Sequence, residues 1–206
     1  LIPNFDTMEN EVKEPDVSYG GMYSYADYLK WTIGERFEII KGKLFKMSPA
    51  PKRVHQKILG IIFTRIFNLL NGERCEVYSA PFDVRLPVKS KKNEDIFTVV
   101  QPDICVICDR EKLDDLGCIG APDLVIEILS KGNSKKELQN KYEVYEESGV
   151  KEYWVINPHH ENMIVYTLVN GSYMPSRLLT RGDSVTTEIL PGFELDLEGL
   201  FSQIEE

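Results

Sequence analysis

Long apolar runs are missing from this chain: none approaches the roughly 18 residues that a membrane-spanning helix requires. The N-terminus lacks a basic segment followed by an apolar stretch and a cleavage site, so a soluble, cytoplasmic protein is expected. Positive charge is in short supply, with 24 Lys and Arg against 33 Asp and Glu and a formal net charge of -9. That balance excludes a long-range field that gathers nucleic acid, and any such binding must be local or cation-assisted. Cysteine is scarce as well, and four residues fit a reducing compartment better than a disulfide framework. Cys105 and Cys108 resemble half a zinc site. On a strand of period two, however, their side chains point to opposite faces, and they read as small buried residues. There are no internal repeats and no low-complexity tracts.

What is present is enough apolar material for a full core, 42% of 206 residues, in a chain of single-domain size. Residues 1–22 are polar and read as a flexible leader, with Met8 as a plausible native start, and residues 23–206 read as one domain. Ser24-Tyr25-Ala26-Asp27 is a capping-box pattern opening a short helix through Leu29 and Trp31. Phe37–Ile40 and Leu44–Met47 form a hairpin around Lys41-Gly42. Ser48-Pro49-Ala50-Pro51 breaks the chain. Apolar residues then recur at Ile58, Leu59, Ile62, Ile66, Leu69 and Leu70, which predicts a helix from about Val54 to Leu70. Strands are expected near Cys75–Ser79, Phe82–Leu86, Phe97–Ile107 and Leu124–Leu129, with polar loop from Asp109 to Gly120. Ser134-x-x-Glu137 is a second capping box, opening a helix that stops at Gly149. Strands follow at Tyr153–Ile156, Met163–Leu168 and Val185–Leu190, with a short helix from about Glu198. Many strands with two long helices indicate a mixed α/β or α+β fold.

Chemistry concentrates in two apolar runs that each carry an acid. Asp103 follows Pro102 beside Ile104-Cys105-Val106-Ile107, and Glu127 interrupts Leu124-Val125-Ile126 and Ile128-Leu129. An ionised carboxylate in such a run costs several kcal/mol to desolvate unless a cation or hydrogen bonds compensate it. Asp103 shares a strand face with Cys105 and Ile107, and Glu127 shares one with Asp123 and Val125. Paired strands would bring the two acids together under the following helix, whose apolar face holds Leu138, Tyr142 and Tyr145. Lys141 lies about 60° around that helix from Leu138 and either snorkels or points at the carboxylates. Two carboxylates and a lysine suit phosphate chemistry at a divalent cation.

Pro102-Asp103 with Glu127 as second acid resembles the PD-(D/E)xK core of restriction-endonuclease-like nucleases. In that core the lysine stands two residues after the second acid, and here that position is Leu129, so Lys141 is the candidate substitute. Further segments resemble the Uma-type family of bacterial restriction endonucleases. They are Glu38–Leu44, His55, Gln101-Pro102-Asp103, Ala121–Ser130, Lys141-x-x-x-Tyr145, Gly149–Pro158 and Pro191-Gly192, spanning about residues 23–201. The resemblance implies a central mixed sheet flanked by helices, with extra N- and C-terminal hairpins. It implies hydrolysis of DNA phosphodiesters with Mg²⁺, for which Mn²⁺ can substitute. Asp103, Glu127 and Ile128 become the metal-holding positions, with Lys141, Glu38 as a third acid, and His55 completing the catalytic set. A homodimer is the expected assembly, since a duplex has two strands to cut.

Each residue also has an ordinary role. Asp103 could cap a turn, Asp123 is a strand-start cap, Lys141 could pair with Glu137 one turn away, and His55 could be a packed residue with one hydrogen bond. Leu129 at the lysine position and the acidic charge also leave room for an inactive nuclease-fold module that binds DNA or a protein partner.

Overall fold

The computed structural model describes residues 21–31, 36–47, 52–130 and 135–205. Residues 1–20 of the expected leader, the Ser48–Pro51 break and the Ser134/Glu137 capping box lie outside the described residues and side chains. Four α-helices are found there: α1 (Tyr25–Tyr28), α2 (Arg53–Leu69), α3 (Lys135–Ser148) and α4 (Leu197–Glu205). No helix among the described residues is long and apolar enough to cross a membrane.

A six-stranded sheet has the order β2-β1-β5-β4-β8-β7, built from β1 (Phe37–Ile40), β2 (Lys43–Lys46), β4 (Val84–Arg85), β5 (Val99–Val100), β7 (Leu113–Asp114) and β8 (Gly117–Ile119). A second sheet runs β12-β11-β10-β9-β6-β3, with β3 (Glu76–Ser79), β6 (Ile104–Ile107), β9 (Leu124–Ile128), β10 (Glu152–Asn157), β11 (Asn162–Val169) and β12 (Ser172–Pro175); β13 (Leu179–Thr180) pairs with β11. A hairpin of β14 (Ser184–Thr186) and β15 (Glu194–Asp196) stands apart before α4. The fold is therefore mixed α/β, with additional hairpins near both ends.

Period-two alternation divides the central sheet between two cores. Ile104 and Val106 of β6, and Leu124, Ile126 and Ile128 of β9, pack with Ile58, Ile62 and Ile66 of α2 and Leu200, Phe201 and Ile204 of α4. Cys105, Ile107 and Val125 face the other way, into a cluster with Val144 and Tyr145 of α3 and with Ile40, Val84 and Val100 of the six-stranded sheet. β9 and β10 are parallel, so the chain must cross over between them, and α3 is that crossover. Glu127, with Val125, points to the α3 side.

Four expectations need correction. The run Phe97–Ile107 is not one strand: β5 and β6 belong to different sheets, and Gln101-Pro102-Asp103 carries the chain from one to the other. Proline has no N–H for a ladder, so it sits where the strand breaks. The α1 helix stops at Tyr28, although its capping box forms as expected, with Ser24 and Asp27 bonded in both directions. The polar stretch 109–120 contains the β7–β8 hairpin, and β8 joins β4 in parallel. Finally, Cys75 and Cys108 form a disulfide at the position that continues the β3–β6 register past Glu76 and Ile107. Cys105 and Cys118 are the buried thiols.

Candidate active site

β6 and β9 pair antiparallel through Ile104–Ile126 and Cys105–Val125, a register that sets Asp103 opposite Glu127 at the end of the sheet. Glu38 comes from β1 of the other sheet, and Lys141 and Tyr145 from successive turns of α3. His55 comes from the first turn of α2, which reaches round the sheet end. Glu38, His55, Glu127 and Lys141 are all buried, whereas the Asp103 side chain keeps 18% of its surface exposed.

One ammonium bridges two acids. Lys141 Nζ lies 2.9 Å from Glu127 Oε1 and 3.0 Å from Glu38 Oε1. The Tyr145 hydroxyl donates to the same Glu127 oxygen at 2.8 Å, and the Gln101 backbone N–H donates to Glu38 Oε1 at 2.9 Å. Asp103 Oδ2 accepts from the Ile128 backbone N–H at 2.7 Å and from His55 Nε2 at 3.1 Å. A carboxylate only accepts, so the proton of that bond sits on Nε2; His55 Nδ1 is buried without a partner among the described residues.

Burial pushes the Glu127 carboxyl up, to about 7. The Lys141 ammonium pulls against that rise, and the Asp103 and Glu38 carboxylates add to it. For Lys141 burial works against the charge, but Glu127 and Glu38 outweigh it and raise the ammonium well above the usual lysine range. Two carboxylates thus share one ammonium, with the Asp103 carboxylate acting on Glu127 as well, an excess of acids that a cation would relieve.

The sequence candidates Glu38, His55, Asp103, Glu127 and Lys141 are all brought together, and Leu129 is not replaced by a lysine from its own strand. Asp123 stands apart. Its Oδ1 takes Lys151 Nζ at 2.6 Å and its Oδ2 takes the Cys108 N–H at 2.8 Å, bonds that lower its pKa although burial alone would raise it. It is a strand-start cap. Two contributors went unread in the sequence: Gln101, which holds Glu38 through its main chain, and the Tyr145 hydroxyl. For Tyr145 the signal was there, since i, i+4 places it directly above Lys141.

Among the described residues no three His, Cys, Asp or Glu side chains form a ready metal-ligand group. What stands at the sheet end is a pair of acids, each with one oxygen that makes no hydrogen bond among those residues, beside the main chain of Ile128. Hard oxygen donors of this number suit Mg²⁺, which takes one or two carboxylates and completes its shell with water and phosphate.

A family model described as "Putative restriction endonuclease" matches residues 25–198. The chain belongs to the Uma2 family. The Uma2 chain is also similar to a crystal structure titled as a "putative nuclease belonging to DUF820" from Anabaena variabilis ATCC 29413. The two share 21% identity and a TM-score of 0.70, over 88% of this chain and 99% of that one. At that identity the likeness shows the fold, which is the restriction-endonuclease-like arrangement the sequence pointed to. No curated protein matches the Uma2 chain.

Proposed function

We propose that this chain is a divalent-cation-dependent endodeoxyribonuclease of the PD-(D/E)xK type, with Lys141 of α3 replacing the lysine absent at Leu129. The observation that carries this reading is the 2.9 Å contact of Lys141 Nζ with Glu127 on the face that also presents Asp103. On this reading an ammonium delivered from a helix stands in for the missing strand lysine.

Asp103, Glu127 and the main chain of Ile128 would hold Mg²⁺ or Mn²⁺. Bound there, the cation supplies Lewis acidity toward a phosphoryl oxygen and a nucleophilic water at neutral pH. The protein's own groups do the rest. Glu38 keeps the Lys141 ammonium at the acids, where it stabilises the negative charge that develops on the phosphoryl oxygens. His55 and the Ile128 N–H fix Asp103 through one oxygen, and the other takes no hydrogen bond among the described residues. The substrate approaches over basic residues beside the site, with Lys52 and Arg53 exposed at the start of α2 and Lys57 one turn on. Two copies acting together would cut both strands of a duplex.

Plasmid cleavage in Mg²⁺ or Mn²⁺, with calorimetric titration of Mn²⁺ on the same preparations, tests this reading. Wild type is expected to bind Mn²⁺ and to nick or linearise the plasmid, and Glu127→Ala to do neither. Full turnover in Glu127→Ala refutes the assignment. A folded wild type that binds DNA equally well with and without chelator, and never cleaves it, is the inactive binding module instead.

A further inference from the structure

The hydroxyl of Tyr145 has no part in the reaction as described, yet it occupies the same carboxylate oxygen as the lysine. Tyr145 OH and Lys141 Nζ approach Glu127 Oε1 at 2.8 and 2.9 Å, while Glu127 Oε2 accepts no hydrogen bond among the described residues. The division recurs at both other acids. Among the described residues, Asp103 takes two donors on Oδ2 and none on Oδ1, and Glu38 takes the Gln101 N–H and Lys141 on Oε1 alone. A phenol carries no charge with which to offset Glu127, and that part falls to the ammonium. Direction is what the phenol adds. The terminal torsion of a glutamate is broad and roughly two-fold, and a lysine on its flexible stem follows the carboxylate wherever it turns. The Tyr145 ring cannot follow: it is fully buried and packed edge-on against Tyr153 with centroids 5.1 Å apart.

We propose that Tyr145 is a positioning residue that fixes the Glu127 carboxylate through Oε1, so that Oε2 is presented to the cation, and thereby tightens the metal site. This inference rests on the metal-nuclease reading above. Partners that orient a ligating carboxylate typically contribute about 10–100-fold in metal affinity. Tyr153 provides an internal control, because its hydroxyl is buried against the same ring system without a hydrogen-bond partner among the described residues.

The test is calorimetric titration of Mn²⁺ into DNA-free wild type, Tyr145→Phe, Tyr153→Phe and Glu127→Gln, with thermal unfolding of each. Tyr145→Phe is expected to fold and to bind Mn²⁺ about tenfold more weakly. Tyr153→Phe should match wild type, and Glu127→Gln should lose binding. Replacing Tyr145 with 4-aminophenylalanine, which carries a donor at the same ring position, should restore the affinity. Wild-type affinity in Tyr145→Phe, while Glu127→Gln has lost it, overturns the positioning role and leaves the metal reading standing. Failure of the 4-amino residue to restore binding also overturns it, as does a Tyr145→Phe protein that does not fold, since the hydroxyl is then a structural bond. Undiminished binding by Glu127→Gln removes the metal site itself and this inference with it.

Discussion

On the α2/α4 side of the central sheet the inward groups are largely apolar: Ile58, Ile62 and Ile66 meet Ile104, Ile126, Trp154 and Phe201, and the buried Glu152 there accepts from Trp154 Nε1 at 3.0 Å. On the α3 side, the same strands carry Glu127 under Lys141, with Glu38 brought in from the other sheet. The first face stabilises the fold at about 1.5–3 kcal/mol for each large side chain buried. The second sets desolvation of several charges against their mutual attraction, a balance that is close to neutral at best. A chain that needed only to fold could have continued the apolar face on both sides. The several charges gathered on the α3 side therefore mark where stability was given up, and the proposed chemistry accounts for that.

The sharpest way to break this comparison is to remove one key group from each face. Lys141→Met leaves Glu38 and Glu127 buried without their ammonium, and it should destabilise the protein by about 3–5 kcal/mol while abolishing cleavage. Adding Glu127→Gln to that variant should recover much of the stability and none of the activity. Ile62→Ala on the opposite face should lower stability by about 2–5 kcal/mol through the cavity it leaves, with cleavage by the folded fraction unchanged. Chemical denaturation and plasmid cleavage on all three variants decide it. Equal loss of activity from both faces would mean that the polar side has no special role.

A smaller effect distinguishes the faces by pH. The folded-state pKa of Glu127 is raised, from the ordinary glutamate value of 4.5 to about 7, so between those values the native state holds more proton than the unfolded chain. Stability of the cation-free protein should then fall as pH rises through this window. Lys141 adds no slope there, because its ammonium is protonated in both states. Asp123 has a lowered folded value, so its contribution is present above the usual aspartate range and is lost only as pH falls below it. Denaturant midpoints measured in chelator from pH 4.5 to 7.5 should show the decline in wild type and a flat line in Glu127→Gln. A flat line in wild type would mean that Glu127 ionises as though it were exposed.

The two faces also differed in how far the sequence could be read. The apolar one was written in the periodicity of Ile58, Ile62 and Ile66, and the alternation around Asp103 and Glu127 was enough to put both acids on the α3 side. What alternation does not contain is where a strand changes sheet. Pro102 ended β5 and sent Asp103 to the start of β6, and the two halves looked like one run because both are apolar. The β7–β8 hairpin was hidden by polar residues that serve an edge rather than a core. The Cys75–Cys108 pairing depends on the β3–β6 register, which no local pattern supplies. Glu38 was legible only through the family resemblance, since a residue next to Phe37 in a hairpin has no local reason to be buried. Tyr145 was visible as an apolar contact, and its hydroxyl acquired meaning only once Glu127 lay 2.8 Å away.

The smallest expected effect lies where the two faces meet. α2 packs its isoleucines into the apolar core, yet its first turn reaches the acids through His55, and Arg53 and Lys57 flank that histidine with no ion pair among the described residues. A solvated helix face looks the same, so the distinction must come from salt. Where these side chains contact phosphate, each releases counterions, and the log–log slope of DNA affinity against salt should fall by about 0.9 for each residue removed. Arg53→Ala and Lys57→Ala should show that change in binding titrations from low to physiological salt, in a background that cannot cleave. Stability should stay within about 0.5 kcal/mol of the parent and Mn²⁺ affinity should not move, because neither side chain is part of a core or holds a carboxylate. An unchanged slope would assign these charges to solvent. The substrate path would then have to cross a second basic segment, Lys89, Lys91 and Lys92 between β4 and β5, where the same measurement on alanine variants applies.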